Sequence, residues 1–179
     1  MAASRFKSEQ YYSESFVESA GAILFRLSTR EICVIHLPSQ NEYVLAKGRR
    51  NLGETRQSAA VREVKEETGY ACRLLPLTMS TRNPPAIEKE PALDEPRIHT
   101  SAQEPFGLQI RHLSRGDVKV IWWYIAAVNE QEKSDSYTHG QGEFSVEFYS
   151  YTDVLKKLTF QTDRDLVEKA IHVMQGTYD

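Results

Sequence analysis

The sequence contains few cysteines and no long apolar segment, and each shortage excludes a class of protein. Only two cysteines occur in the 179 residues, Cys33 and Cys72, and both lie in apolar runs. This argues against a disulfide-dense secreted domain and predicts two buried thiols in a reducing compartment. No apolar run approaches the roughly 18–20 residues of a membrane span, and residues 1–12 lack the apolar part of a secretory signal. We expect a cytoplasmic location, with the nucleus as the alternative, and no membrane partner.

A strong charge of either sign is also missing. The 22 basic and 25 acidic residues give a formal net charge of −3. A protein that binds nucleic acid through bulk charge would be strongly basic, so nucleic acid is not an expected partner. The hydrophobic fraction of 40% and the charged fraction of 26% are typical of one globular domain. A monomer and a homodimer both stay open.

The order of the predicted elements indicates an α/β domain, in which strands surround a central helix and another helix follows at the end. Residues 1–14 are polar and predict a flexible N-terminal segment, and residues 15–179 predict the single domain. Strands are predicted over 16–27, 31–37, 43–46, 70–77, 106–113, 118–128 and 143–151, and helices over 55–68, 153–158 and 162–174. Residues 80–105 contain five prolines and predict a long loop inserted in the domain.

The most informative segment is residues 48–70, GRRNLGETRQSAAVREVKEETGY, in which a loop over 47–54 leads into a helix. Glu63, Glu66 and Glu67 occupy positions i, i+3 and i+4, so all three project from one side of that helix. Like charges at this spacing repel one another, and clustered carboxylate oxygens are the ligands that Mg²⁺ or Mn²⁺ prefers. The alternative for such a run is a solvated acidic helix face.

The spacing of this segment resembles the Nudix box, G-x5-E-x7-R-E-U-x-E-E-x-G-U. Gly48 and Glu54 stand at the first two fixed positions, and Arg62 begins the run that ends at Tyr70. Every fixed position agrees except the last, where a tyrosine replaces the usual aliphatic residue. The resemblance implies a Nudix-type α/β/α sandwich with a mixed central β-sheet. It also implies a hydrolase that cleaves a phosphoanhydride bond in a nucleoside diphosphate derivative or a related polyphosphate.

The same resemblance implies a metal site. Glu63, Glu66 and Glu67 would bind Mg²⁺, or Mn²⁺ in its place, and the backbone carbonyl of Lys47 or Gly48 would complete the coordination shell. The bound ions would neutralise the diphosphate, activate the attacking water and stabilise the leaving oxygen.

The remaining catalytic roles are implied by the resemblance as well. Arg62 would pair with the glutamates of the box and fix their rotamers. Glu54 would do the same from the entrance of the helix, or contact a metal through water. The general base would be a glutamate of the box or one in a late loop, where Glu143 stands. Glu147 is a further candidate, with an ordinary exposed strand residue as the alternative.

The residues around the box are basic for a protein of net charge −3, which predicts a substrate with several phosphates. The candidate substrate-binding cations are Lys47, Arg49, Arg50 and Arg111. The segments YVLAKGRRNLGE, KVIWWYIAA and EFYSYTDVLKKL resemble the diphosphoinositol polyphosphate and diadenosine polyphosphate hydrolases, so these are the expected substrates. The alternatives are an ADP-ribose or nucleotide-sugar pyrophosphatase, and a catalytically silent Nudix domain that binds a phosphorylated ligand. Silent members usually lose glutamates of the box, and this chain retains all of them.

Overall fold

A computed structural model of the chain describes residues 5–85, 87, 93–132 and 144–178. The described strands are β1 (Phe16–Arg26), β2 (Glu31–Leu37), β3 (Glu42–Val44), β4 (Lys47–Arg49), β5 (Cys72–Leu74), β6 (Leu77–Thr81), β7 (Arg97–Ala102), β8 (Gly107–His112), β9 (Val118–Val128) and β10 (Ser145–Ser150). The described helices are α1 (Arg56–Thr68), α2 (Tyr151–Lys157) and α3 (Gln161–Tyr178). A 3₁₀ turn, Ser114–Gly116, joins β8 to β9.

One mixed sheet forms the centre of the fold. Its strand order is β10-β2-β1-β9-β5, and β3 also pairs with β2, β4 with β1, and β8 with β9. β1 and β9 run parallel from the Phe16–Val118 pair to the Phe25–Ala127 pair. The other pairs in this sheet are antiparallel. The mixed central sheet expected from the Nudix resemblance is therefore confirmed.

The side chains of β1 and β9 alternate between two cores, one on each face of the sheet. On one face, Ala20 and Tyr124 belong to a buried cluster with Val64 of α1. On the other face, Trp123 belongs to a cluster that α2 and α3 complete, with Val167 on α3. The expected α/β/α sandwich is confirmed, and we call its two faces the α1 side and the α3 side. No helix in the described part of the chain is long and apolar enough to cross a bilayer.

α1 begins and ends where the sequence predicts. The Thr55 side chain accepts a hydrogen bond from the backbone N–H of Ser58 at 3.1 Å and caps the first turn. Gly69 ends the helix with φ 75°, in the left-handed region, and donates its N–H to the Lys65 carbonyl oxygen at 2.8 Å. A side chain at Gly69 would strain this conformation. These local signals therefore fix the helix that carries the three glutamates.

Three other predictions of secondary structure are wrong. The loop predicted over 47–54 begins as strand β4, which pairs with β1, because three residues are too few to show an alternating pattern. The strand predicted over 70–77 is two short strands, β5 and β6, because Pro76 between them has no N–H to donate. The loop predicted over 80–105 contains β7, which pairs with β6. The sequence of β7, RIHTSA, has one large apolar residue and so lacks the pattern of a strand.

Candidate active site

α1 lies against β4, and Glu63 on α1 packs closely against Gly48 on β4. A Cβ atom on Gly48 would collide with the carboxylate of Glu63. The side chain of Glu63 is 12% exposed. Gly48 is not among the residues with positive φ, so glycine is required here for close packing and not for its backbone freedom.

Arg62 connects the acids of α1 to one another and to β4. Its Nε and Nη2 atoms donate to the two carboxylate oxygens of Glu54 at 2.8 and 2.9 Å. Its Nη1 donates to Glu63 Oε1 at 2.7 Å and to Glu66 Oε2 at 2.9 Å. Its Nη2 also donates to the Arg49 carbonyl oxygen at 2.9 Å. Arg62 is thus placed to fix the rotamers of these glutamates. We call Arg62 with Glu54, Glu63, Glu66 and Glu67 the acid cluster.

Glu54 is held as an ionised carboxylate. The hydrogen bonds from Arg62, followed by one from the Asn51 backbone N–H at 2.9 Å, lower the pKa of Glu54 to about 2. The pKa of Arg62 is raised in return, chiefly by its hydrogen bonds to Glu54. A carboxyl group with so low a pKa is a poor proton acceptor at neutral pH. Glu54 is therefore suited to orienting Arg62.

Glu67 has the opposite electrostatic setting. Its Oε2 accepts a hydrogen bond from the backbone N–H of Lys47 at 2.7 Å. Burial raises the pKa of Glu67 to about 7, and the charges of Glu63 and Glu66 add to the rise, although the contact with Lys47 opposes it. Negative charge is thus poorly compensated around Glu67, which is the condition that a cation relieves.

The acid cluster fits a divalent metal by its donor chemistry. Within the described ranges, no group of three or more His, Cys, Asp or Glu side chains is already arranged to hold a metal ion. Arg62 Nη1 lies between the carboxylates of Glu63 and Glu66. The donors on α1 are nevertheless all hard oxygens, as Mg²⁺ and Mn²⁺ require, and the setting of Glu67 favours added positive charge. Glu63, Glu66 and Glu67, with a backbone carbonyl of β4, would hold the ion.

Two glutamates outside the box are candidates for the general base, and the structure describes only one of them. Glu143 lies outside the described residues, so its role stays a prediction. Glu147 lies on β10, and its carboxylate accepts hydrogen bonds from Ser145 Oγ at 2.9 Å and from the Tyr149 hydroxyl. β10 is at the end of the sheet order, with β2 between it and β1. Glu147 is therefore placed away from the acid cluster.

Four cations lie together on the α3 side of the sheet. The pairing register of β4, β1, β9 and β8 places the side chains of Lys47, Arg49, Lys119 and Arg111 on one face. Burial lowers the pKa of Lys119, and the charges of Lys47, Arg111 and Arg49 lower it further. In the described part of the chain, none of the four forms an ion pair. We call these residues the basic face.

Arg50 does not join the basic face, although it follows Arg49 directly. Arg50 Nε and Arg56 Nε each donate to a different carboxylate oxygen of Glu18 on β1 at 2.9 Å, and Trp122 Nε1 donates to the same carboxylate at 2.9 Å. Burial alone would raise the pKa of Glu18, but the hydrogen bonds from Trp122 and Arg56 lower it. Sequence analysis missed Glu18, because only the pairing of β1 with β4 and β9 brings these groups together.

The family of the chain is shown over most of its length. The model of the NUDIX domain matches residues 16–170. The chain belongs to the Nudix hydrolase family. This confirms the resemblance expected from the box, and Nudix enzymes in general use divalent cations and act on small phosphorylated substrates.

One curated relative and two solved structures show how far the likeness of this Nudix protein extends. An 8-oxo-(d)GTP phosphatase of Mycolicibacterium smegmatis is 38% identical over 73 residues, which are 35% of this chain and only 23% of that protein. The Ap4A hydrolase of C. elegans has a TM-score of 0.58 at 15% identity, covering 89% of this chain and 98% of that chain. A Nudix hydrolase of Nitrosomonas europaea has a TM-score of 0.57 at 13% identity, covering 87% of this chain and 88% of that chain. At these identities the two structures show the shared fold.

Proposed function

We propose that this Nudix protein is a Mg²⁺-dependent hydrolase that cleaves a phosphoanhydride bond in a small molecule with several phosphates. One observation carries the proposal: the acid cluster and the basic face meet at β4, a strand of three residues. In the described part of the sheet, β4 pairs only with β1, and at its other edge the Lys47 N–H and the Arg49 carbonyl oxygen bond to Glu67 and Arg62 of the acid cluster. A polyphosphate at this edge would reach carboxylates on one side and cations on the other.

The acid cluster provides the catalytic half of the proposed site. Glu63, Glu66 and Glu67 would hold the metal, which would supply charge to neutralise the scissile diphosphate and lower the pKa of water. Arg62 holds the glutamate side chains in place, and Glu54 holds Arg62. Water then adds to a phosphorus atom, the bridging P–O bond breaks, and the bridging oxygen leaves with the other phosphate. A glutamate of the box, or Glu143, accepts the proton of the water.

The basic face sets the number of phosphates in the substrate. Metal ions held by the acid cluster would neutralise only the scissile diphosphate, so the four further cations favour additional phosphates. Diadenosine polyphosphates and diphosphoinositol polyphosphates both meet this condition, whereas ADP-ribose and nucleotide sugars carry only their bridging diphosphate. The names of the curated relative and of the C. elegans structure, which refer to 8-oxo-(d)GTP and Ap4A, support the nucleoside polyphosphates.

The test is a hydrolysis screen with the purified protein. Diadenosine tetraphosphate, a nucleoside triphosphate, diphosphoinositol pentakisphosphate, ADP-ribose and UDP-glucose are each incubated with Mg²⁺ and, separately, with EDTA. We expect hydrolysis of at least one substrate with more than two phosphates, and its loss in EDTA. Turnover restricted to ADP-ribose or UDP-glucose would contradict the assigned substrate class. Absence of turnover on every substrate would contradict the proposed hydrolytic activity and favour a catalytically silent domain that binds a phosphorylated ligand.

A further inference from the structure

Three buried polar atoms without partners lie on the same face of the sheet as the basic face. Gln109 and Ser19 both align with Ile121 of β9, and Trp123 follows two residues later, so their side chains share the α3 side. In the described residues, the Ser19 Oγ, Gln109 Oε1 and Trp123 Nε1 atoms are buried and make no hydrogen bond. Buried polar groups are nearly always paired, so atoms like these call for a partner such as water, an ion or a ligand.

A fourth such atom comes from α3. Asp163 is 3% exposed, and its Oδ1 has no hydrogen-bond partner in the described part of the chain. Leu166 and Val167 lie three and four residues further along α3, so they share a helix side with Asp163. Leu166 packs toward Gly107 of β8, since a Cβ there would lie 3.1 Å from its side chain, and Val167 is in the core below the sheet. Asp163 therefore points toward the sheet.

Asp163 lies within electrostatic reach of the basic face. Burial raises the pKa of its carboxyl group, while the charges of Arg111 and Lys47 lower it. No ion pair within 4.0 Å joins Asp163 to either cation in the described ranges. The carboxylate is thus near two cations and bonded to neither, an arrangement that costs folding free energy.

We propose that Asp163, together with Ser19 and Gln109, binds the uncharged organic part of the substrate through its N–H or O–H groups, and that the substrate is therefore a nucleoside polyphosphate. This inference rests on the proposed function. Asp163 Oδ1 and Gln109 Oε1 are hydrogen-bond acceptors and the Ser19 hydroxyl can accept as well as donate, so the donors of nucleobase amino groups and ribose hydroxyls would satisfy all three. A diphosphoinositol pentakisphosphate has every hydroxyl phosphorylated, so it offers no such donor and would bring negative charge against Asp163.

The alternative is a structural role. Asp163 lies in the first turn of α3, where a negative charge stabilises the helix dipole. In that case its replacement would lower stability and would change the affinity of all ligands in the same direction. If Asp163 binds the organic group, its replacement should instead change the affinity in opposite directions for ligands with and without that group.

The test compares Asp163→Asn with Asp165→Asn, the same change at an exposed residue of the same helix. Binding is measured by calorimetry in EDTA, so that neither metal nor turnover contributes, with diadenosine tetraphosphate, inorganic tripolyphosphate and diphosphoinositol pentakisphosphate as ligands. We expect Asp163→Asn to weaken binding of the dinucleotide on the order of 10-fold, as the loss of one charge-assisted hydrogen bond does. Binding of the other two ligands should tighten, and Asp165→Asn should change none.

The outcomes separate this inference from the proposed function. A change of the same sign for all three ligands, or no change, would overturn the role of Asp163. Gln109→Met is a second test if Asp163→Asn fails to fold, because it removes a hydrogen-bond acceptor without changing charge. In this variant only the dinucleotide should bind more weakly. If the protein binds the dinucleotide in this pattern but hydrolyses none of the substrates, the role of Asp163 in binding is supported and the proposed hydrolytic activity is contradicted.

Discussion

The charged groups on the two sides of strand β4 differ in whether they are paired within the described residues. On the α1 side, Arg62 holds Glu54 through two hydrogen bonds, and Arg50 is paired with Glu18 at 2.9 Å. On the α3 side, the basic face forms no ion pair within the described residues, and four polar atoms buried nearby make no hydrogen bond. The two sides are separated by the thickness of one strand.

This difference separates the part of the site that the protein completes by itself from the part that a ligand completes. Charges paired within the chain contribute to folding and hold their geometry before substrate binds. Buried polar atoms without partners cost folding free energy, and proteins accept that cost mainly at functional sites. Under the proposed function, the acid cluster would accordingly be the preorganised catalytic half, and the basic face would be the half that receives the substrate.

Removal of one metal-binding charge should have the largest effect. Glu66→Gln and Glu67→Gln should each lower kcat at least about 10²-fold, because each weakens the shell of the proposed metal. The thermal transition should stay near that of the unchanged protein. The measurement is kcat at saturating Mg²⁺, with Glu168→Gln, an exposed glutamate on α3, as the matched control. Near-native turnover of both variants would show that the acid cluster is not catalytic.

Removal of the residue that connects the acid cluster should have the next largest effect. Arg62→Ala should lower kcat about 10–100-fold, the range found for residues that orient metal ligands. KM should change little, because Arg62 contacts carboxylates and a backbone carbonyl. The two constants are separated by steady-state kinetics over a range of substrate concentrations. An effect confined to KM would show instead that Arg62 binds substrate phosphate.

The acid cluster was predictable from the sequence, because its spacing lies within one helix. The i, i+3 and i+4 positions of Glu63, Glu66 and Glu67 place them on one side of any α-helix. Thr55 and Gly69 mark the ends of that helix by local capping chemistry. Helical periodicity and the box together thus give this half of the site without knowledge of the tertiary structure.

The α3 side was not predictable in the same way, because it depends on sheet register. Lys47 and Arg111 come together only through β1 and β9, which lie between their strands. Arg49 and Arg50 looked equivalent in the sequence, yet successive residues of an extended chain face opposite sides, and Arg50, directly after β4, pairs with Glu18 on the α1 side. Asp163 gave no signal, since one acid near the start of an amphipathic helix is ordinary.

Two expectations that concern the whole protein have different outcomes. Both thiols are buried, as predicted: Cys33 is 4% and Cys72 is 8% exposed. Burial also raises the pKa of Cys72 to about 11, so its reactive thiolate is suppressed. The cytoplasmic location and the choice between monomer and homodimer stay predictions.

The contrast between Arg49 and Arg50 can be tested with the same substitution at both positions. Arg49→Ala should raise KM for a polyphosphate substrate on the order of 10-fold, because one charged contact to phosphate is lost. It should also flatten the salt dependence of kcat/KM. Arg50→Ala should leave KM nearly unchanged and lower the free energy of unfolding by about 1–3 kcal/mol, because Glu18 loses a partner. Equal effects on KM would show that the two arginines do not face different sides.

The smallest expected effect is a pH-dependent gain in stability from Asp163→Asn. Burial raises the pKa of Asp163 above its ordinary value of 3.8, so the folded state keeps a proton that the unfolded state releases. The free energy of unfolding of the unchanged protein therefore falls as pH rises from about this value through the raised pKa. Asparagine does not titrate, so the variant avoids this loss and should gain about 1 kcal/mol at neutral pH.

The measurement is the difference in Tm between Asp163→Asn and the unchanged protein, taken at intervals from pH 3.5 to pH 8. A gain of about 1 kcal/mol corresponds to roughly 2–4 °C for a chain of this size. The difference should be smallest at the acid end, rise with pH, and level off once Asp163 is ionised in both states. Asp165→Asn should show no such rise, because that carboxylate is exposed and accepts a hydrogen bond from Gln161 at 2.8 Å.

A difference that is constant with pH, or a variant less stable at neutral pH, would mean that Arg111 and Lys47 already compensate the Asp163 charge. The α3 side would then be as self-contained as the α1 side, and the contrast between the two sides of β4 would no longer hold.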